Sequence, residues 1–167
     1  MKSYLVGLPL LILAAVAQST ILSHFHFYGG TVDLVLLIVL GWALTGDALG
    51  ALGWGLVGGL CLDLISGGPL GATSLALTVM AYLAGLTEGR FWGSHLVLPL
   101  GIALGGTFGF HFINLAVLAL SGYAIDWGAS LARIVLPSAL LNTLLMWPAF
   151  SAMRWIHAQL YPAAVAA

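Results

Sequence analysis

Charged side chains are almost absent from this chain, which has four Lys or Arg and five Asp or Glu residues among 167. So few charges cannot cover a water-soluble domain, because such domains carry about 25% charged residues. Hydrophobic residues make up 62% of the sequence and form continuous runs that can cross the roughly 30 Å hydrocarbon core of a bilayer. These runs lack the alternation of apolar and polar residues that a membrane β-barrel requires. The sequence therefore predicts an all-α, polytopic transmembrane bundle.

Loops rich in glycine and polar residues divide the chain into six predicted helices within a single transmembrane domain, residues 1–167. The predicted spans are residues 4–22, 33–45, 48–65, 70–87, 96–120 and 131–157. Lys2, Arg90 and Arg154 then lie on one side of the membrane, and Arg133 lies on the other. Because cytoplasmic loops carry an excess of Lys and Arg, we expect both termini to be cytoplasmic.

The third predicted span places one carboxylate beside two glycines. Gly55, Gly59 and Asp63 follow at intervals of four residues, so they share a helix face on which another helix can approach closely. A carboxylate at membrane depth is costly unless it faces protein or water. We therefore expect Asp63 to be buried or half-buried against a specific donor. The helix should end at the residues that follow, Gly67, Gly68 and Pro69.

In this topology Asp33, Asp63 and Asp126 lie near the same outer boundary of the membrane as Arg133. For Asp63 we predict either Arg133 or the backbone amides from Ser66 to Gly68, since both supply hydrogen bonds to a negative charge. For Asp33 we predict helix capping, because a carboxylate in the first turn of the second span meets the positive end of the helix dipole.

A second glycine face occurs on the fifth span, where Gly101, Gly105 and Gly109 are again four residues apart. Such a face predicts a contact with another helix, either within the bundle or in a second copy that forms a homodimer. On the same span, His111 and Asn114 are three residues apart, which indicates a hydrogen-bonding pair inside the bundle.

The sequence contains no pattern that indicates catalysis, a metal site or a cofactor. There is no nucleophile motif, no zinc-binding motif and no phosphate-binding loop, and the net charge of −1 argues against nucleic acid as a partner. Two non-enzymatic interpretations stay open. One is an assembly scaffold that docks other helices on its glycine faces. The alternative is the substrate-binding membrane subunit of a small-molecule, vitamin-type transporter, with a pocket formed by His111, Asn114 and Asn142.

Two segments carry a family signature. Asp33-Leu34-Val35-Leu36 follows the first loop, and the segment from Gly58 to Gly71 reads GGLCLDLISGGPLG. Both resemble the MreD family of bacterial rod shape-determining membrane proteins, and the resemblance is strongest over residues 1–90. Family members usually have Pro at the position of Val32.

This resemblance implies a multi-pass protein of the bacterial inner membrane that takes part in peptidoglycan synthesis during cell elongation. It implies binding to the bitopic protein MreC, within an elongasome that includes the MreB filament, a SEDS glycosyltransferase and a class B penicillin-binding protein. It also implies a six-helix fold similar to the substrate-binding subunits of energy-coupling-factor transporters. With the two glycine faces, it favours a non-catalytic scaffold.

Overall fold

Six helices form the regular structure of the chain in a computed structural model that describes residues 2–24, 28–87 and 97–162. A single 3-10 turn, Leu22–His24, follows the first helix. The predicted all-α bundle of six helices is confirmed. Arg90, on which the expected orientation partly depends, lies outside the described residues. The helices are α1 (Lys2–Thr20), α2 (Leu34–Ala43), α3 (Ala48–Ser66), α4 (Ala72–Gly85), α5 (Val97–Leu120) and α6 (Trp127–Leu160).

The short helix α2 is the centre of the bundle. Every residue from Val35 to Ala43 is buried, and α2 contacts each of the other five helices. A helix that is apolar on all sides is stable only when other helices surround it. Its ten residues rise only about 15 Å, about half the thickness of the hydrocarbon core. The described residues before α2, 28–33, are not helical, and Gly30 and Asp33 among them are buried.

The helices differ in their capacity to cross a membrane. Among the described residues, three helices are long and apolar enough to do so, namely α3, α5 and α6. The apolar segments Tyr4–Thr20, Leu34–Ala43 and Ala72–Gly85 are shorter. The bundle thus combines helices of 19 residues or more with two shorter ones, α2 and α4.

The last helix is irregular near its start. α6 is α-helical over Trp127–Ser130, π-helical over Leu131–Val135 and α-helical again over Leu136–Leu160. Pro137 has no amide hydrogen, so the carbonyl four residues earlier loses its usual helical donor. In the same stretch, the Leu136 amide donates to the carbonyl of Leu131, which is five residues back rather than the four of an α-helix. A Cβ on Gly30 would lie 2.6 Å from the Cβ of Pro137, so glycine lets the segment before α2 pack directly on α6.

Candidate functional site

Asp63 joins the end of α3 to the start of α4. It is 2% exposed, and its carboxylate accepts three backbone hydrogen bonds. Oδ2 accepts from the amides of Gly71 at 2.9 Å and Ser74 at 3.2 Å, and Oδ1 accepts from the amide of Thr73 at 3.0 Å. The first amides of a helix have no partner within the helix, and the helix dipole favours a negative charge there. Asp63 therefore caps α4 from a neighbouring helix, and its predicted burial is observed.

The loop between α3 and α4 turns the first amides of α4 towards this carboxylate. Gly67 has a φ of 67° and ends α3, and Gly71 has a φ of 94° at the N-cap of α4. Residues with a Cβ rarely adopt these values, whereas glycine does so without strain. The two glycines thus fix the path that carries the chain from Asp63 back to its own hydrogen-bond donors.

The two partners predicted for Asp63 are both wrong. Arg133 is exposed, and among the described residues it forms no ion pair with Asp63. The Gly68 amide donates to the hydroxyl of Ser66 at 3.4 Å instead of to the carboxylate. The prediction failed because the donors come from the next helix rather than from the turn that follows Asp63.

Gly55 and Gly59 allow α4 to approach α3 at backbone distance. A Cβ on Gly59 would overlap the Cα of Ser74, and a Cβ on Gly55 would lie 3.0 Å from the carbonyl oxygen of Leu77. The contact between α3 and α4 is the most extensive in the bundle. The helix that meets this glycine face is thus the helix whose first turn Asp63 caps.

A second buried carboxylate, Asp33, joins the segment before α2 to α5 and α6. Its Oδ2 accepts a hydrogen bond from Asn142 Nδ2 at 2.8 Å and lies 3.1 Å from His111 Nε2. Asn142 Oδ1 accepts in return from the backbone amide of Asp33 at 2.9 Å. Asn142 Nδ2 also donates to the hydroxyl of Thr107 at 3.2 Å. We refer to Asp33, Thr107, His111 and Asn142 as the Asp33 cluster.

The capping prediction for Asp33 is confirmed in position only, because Asp33 is the N-cap residue of α2. Its side chain makes no capping hydrogen bond, because Asn142 and His111 reach the carboxylate from helices that are distant in sequence. His111 Nε2 approaches the same carboxylate oxygen that accepts from Asn142 Nδ2. The cluster pairs buried polar groups that would be costly if left alone, and it fixes how α2, α5 and α6 sit against one another.

The three residues predicted to form a pocket are held by protein groups. His111 and Asn142 belong to the Asp33 cluster. Asn114 lies one turn further along α5, where its Oδ1 accepts from the hydroxyl of Thr73 at 3.4 Å and its Nδ2 donates to the carbonyl of Phe110 at 3.0 Å. These side chains therefore connect helices. In the described part of the chain, no group of three His, Cys, Asp or Glu side chains is placed to hold a metal ion.

Two participating residues were missed at the sequence level. Thr107 completes the Asp33 cluster, and the hydroxyl of Ser138 accepts from the backbone amide of Thr31 at 3.0 Å. A signal was present in the spacing. Thr107 precedes His111 by four residues and Ser138 precedes Asn142 by four, so each lies on the same helix face as a residue already selected.

The glycine face of α5 is partly filled and partly open. A Cβ on Gly109 would lie 2.7 Å from the sulfur of Met80 on α4, whereas a Cβ on Gly101 or Gly105 would have no atom of the described chain within 4 Å. The open part borders an apolar groove of about 340 Å³, which we call the α4–α5 groove. Its lining residues are Leu40, Met80, Leu83, Ala84, Gly101, Ile102, Gly105, Gly106 and Gly109.

Comparisons with known proteins identify the family. Residues 1–156 match the family described as rod shape-determining protein MreD. Neither the curated proteins nor the solved structures gave a match, so the expected similarity to energy-coupling-factor subunits has no support from them. The family is a membrane family associated with rod shape determination, in agreement with the three membrane-length helices. The chain belongs to the MreD family of rod shape-determining proteins.

Proposed function

We propose that this protein is a non-catalytic scaffold of the cell-elongation machinery in the bacterial inner membrane, and that it holds a bitopic partner of the MreC type. The open part of the α4–α5 groove carries this proposal. There, Gly101 and Gly105 offer backbone surface that no part of the described chain covers. No chemical step is required of the protein.

The groove suits the single transmembrane helix of such a partner. Two glycines at four-residue spacing allow two helix backbones to approach closely, and association in lipid depends on this close packing because burial from water is absent. None of the described residues that line the groove carries a charge, as expected of a contact within the bilayer. In the most apolar stretch of α5 only 22% of residues are buried, against 39% in α3, so α5 has more surface left for a partner.

The two buried carboxylates would hold the walls of this groove in place. Asp63 fixes the start of α4, and the Asp33 cluster fixes α5 against α2 and α6. A groove whose walls are already fixed loses less conformational entropy when a helix docks. In this function Asp33 and Asp63 support the docking surface without touching the partner. The MreB filament, a SEDS glycosyltransferase and a class B penicillin-binding protein would join through the assembled pair.

A bulky substitution in the groove tests the docking site. Gly105→Leu places a side chain where a partner helix would lie, and it meets no atom of the described chain at its Cβ. We expect the variant to fold normally and to recover at least tenfold less MreC-type partner in co-purification from membranes. The matched control is Ala152→Leu, which adds bulk at an exposed position of α6 outside the groove. Equal partner recovery by both variants would contradict the docking site.

The orientation is tested separately. Lys2, Arg90 and Arg154 fall on one side of a six-helix topology and Arg133 on the other, which favours cytoplasmic termini. A reporter that is active only in the cytoplasm and is fused after Ala167 should therefore be active. Activity of a periplasm-dependent reporter at the same position would reverse the orientation.

A further inference from the structure

A cavity of about 500 Å³ with a mixed polar and apolar lining opens where α1 and α3 end and α4 begins. Its volume falls within the roughly 300–1,000 Å³ that is usual for small-molecule sites. Leu62 and the buried Phe110 line its apolar part. The polar part is formed by six uncharged side chains, Gln18, Ser19, Thr20, Thr31, Ser66 and Thr73.

Two of these side chains have hydrogen-bonding groups that the described residues do not use. Gln18 Oε1 accepts from the backbone amide of Val35 at 3.0 Å. A backbone amide only donates, so this bond fixes the amide of Gln18 and leaves its Nε2 donor group without a described partner. Thr31 is held through its backbone amide, which donates to Ser138 Oγ at 3.0 Å. Its hydroxyl is likewise unpaired among the described residues.

The described surroundings favour an uncharged ligand. No described residue that lines the cavity is charged. A helix N-terminus such as that of α4 would ordinarily attract an anion, but the amides of Gly71, Thr73 and Ser74 already bind the carboxylate of Asp63. The negative charge of Asp63 would also repel a second anion nearby. A cation would find no carboxylate in the lining to pair with. The described lining therefore fits a neutral ligand better than a charged one.

We propose that this cavity binds an uncharged, hydroxyl-bearing group of the glycosyl type. Donors at Gln18 and Thr31, with the acceptor lone pairs of the lining hydroxyls, match a group that both donates and accepts. Phe110 and Leu62 offer an apolar surface to a sugar face or to the start of an acyl chain. Such a group can come from a neutral glycolipid or from a free sugar. The proposal does not depend on the α4–α5 groove or on the partner that docks there.

Ligand binding to the intact purified protein tests this proposal. Native mass spectrometry in a non-glycosidic detergent would be carried out with three probes: a monoglucosyl diacylglycerol, a phosphatidylglycerol with the same acyl chains, and glucose. We expect a single saturable glucosyl lipid per protein and weaker retention of the anionic lipid. If glucose bound saturably with equal affinity, the ligand would be a soluble sugar, and the proposed binding of a glycosyl group would still hold.

Three variants locate the binding. Thr31→Val removes only the unpaired hydroxyl and should weaken glucosyl-lipid binding about two- to tenfold, as for the loss of one neutral hydrogen bond. Gln18→Leu should weaken binding by a similar factor, and if it does not fold, Thr31→Val still decides. The control is Thr143→Val, whose hydroxyl on α6 bonds to the carbonyl of Ala139 outside the cavity. Equal binding by Thr31→Val and Thr143→Val, equal retention of phosphatidylglycerol, or no saturable binding would overturn the proposal.

Discussion

Replacing Asp63 with Ala should destabilise the protein far more than a surface substitution does. The change removes the acceptor of three amides, those of Gly71, Thr73 and Ser74. An unsatisfied buried donor costs about 1–3 kcal/mol. Ser74 is buried, whereas Gly71 and Thr73 are half-buried, so water can replace part of the loss at those two. We therefore expect the free energy of unfolding to fall by about 3 kcal/mol.

The measurement is an SDS titration in mixed micelles, followed by the fluorescence of the tryptophans. Asp63→Asn should lose about 1–2 kcal/mol, because one oxygen can still accept while the new amide group opposes a backbone donor. Asp126→Ala is the matched control. Asp126 also caps a helix start, but it accepts one exposed hydrogen bond, from the Ala129 amide at 2.9 Å, and its loss should cost only about 0.5–1 kcal/mol. If Asp63→Ala and Asp126→Ala were equally stable, the assignment of Asp63 as the link between α3 and α4 would be refuted.

Three further outcomes follow from the packing and can be measured with the same titration. Gly59→Ala should lower the free energy of unfolding by about 1–3 kcal/mol, because the new Cβ overpacks against Ser74. Gly105→Ala, whose Cβ meets nothing, should be neutral or stabilised by up to about 1 kcal/mol. Equal effects of the two changes would contradict the close packing of α3 and α4. Asn142→Leu should lose about 2 kcal/mol or more, because the amide and the carboxylate of Asp33 both lose a partner. Thr107→Val removes one neutral hydrogen bond of the same cluster and should lose only about 0.5–1.5 kcal/mol, and a larger loss than that of Asn142→Leu would reverse the roles assigned to them.

The sequence was sufficient for the fold class because that class follows from composition and from the spacing of apolar runs. The glycine face around Asp63 could also be predicted from the sequence, because residues spaced four apart lie on the same face of a helix. The hydrogen-bond donors to Asp63 could not be predicted, because they depend on the left-handed turns at Gly67 and Gly71. Those turns pack the start of α4 against the end of α3. The direction of the first amides of α4 is seen only in the folded chain.

The partner of Asp33 shows a different limit. Local reasoning offered the helix dipole, which acts within one turn. The actual partner, Asn142, is 109 residues away along the chain, and no periodic pattern connects two positions at that separation. Likewise, the spacing of Gly101, Gly105 and Gly109 predicted one continuous contact face, but it could not show that Met80 covers only Gly109.

The central position of α2 has a consequence for how the protein is made. Asn142 on α6, which donates to the carboxylate of Asp33, is synthesised 109 residues after Asp33. At about 5–20 residues per second this takes roughly 5–20 s. Until His111 is synthesised, 78 residues after Asp33, Asp33 has neither of these partners, so a charge on its carboxylate must remain hydrated and we expect α2 not to reach its final depth in the membrane. We therefore expect the helix at the centre of the finished bundle to be among the last to reach its final position, and chains whose ribosomes stall before residue 111 should leave it accessible to water-soluble labelling reagents.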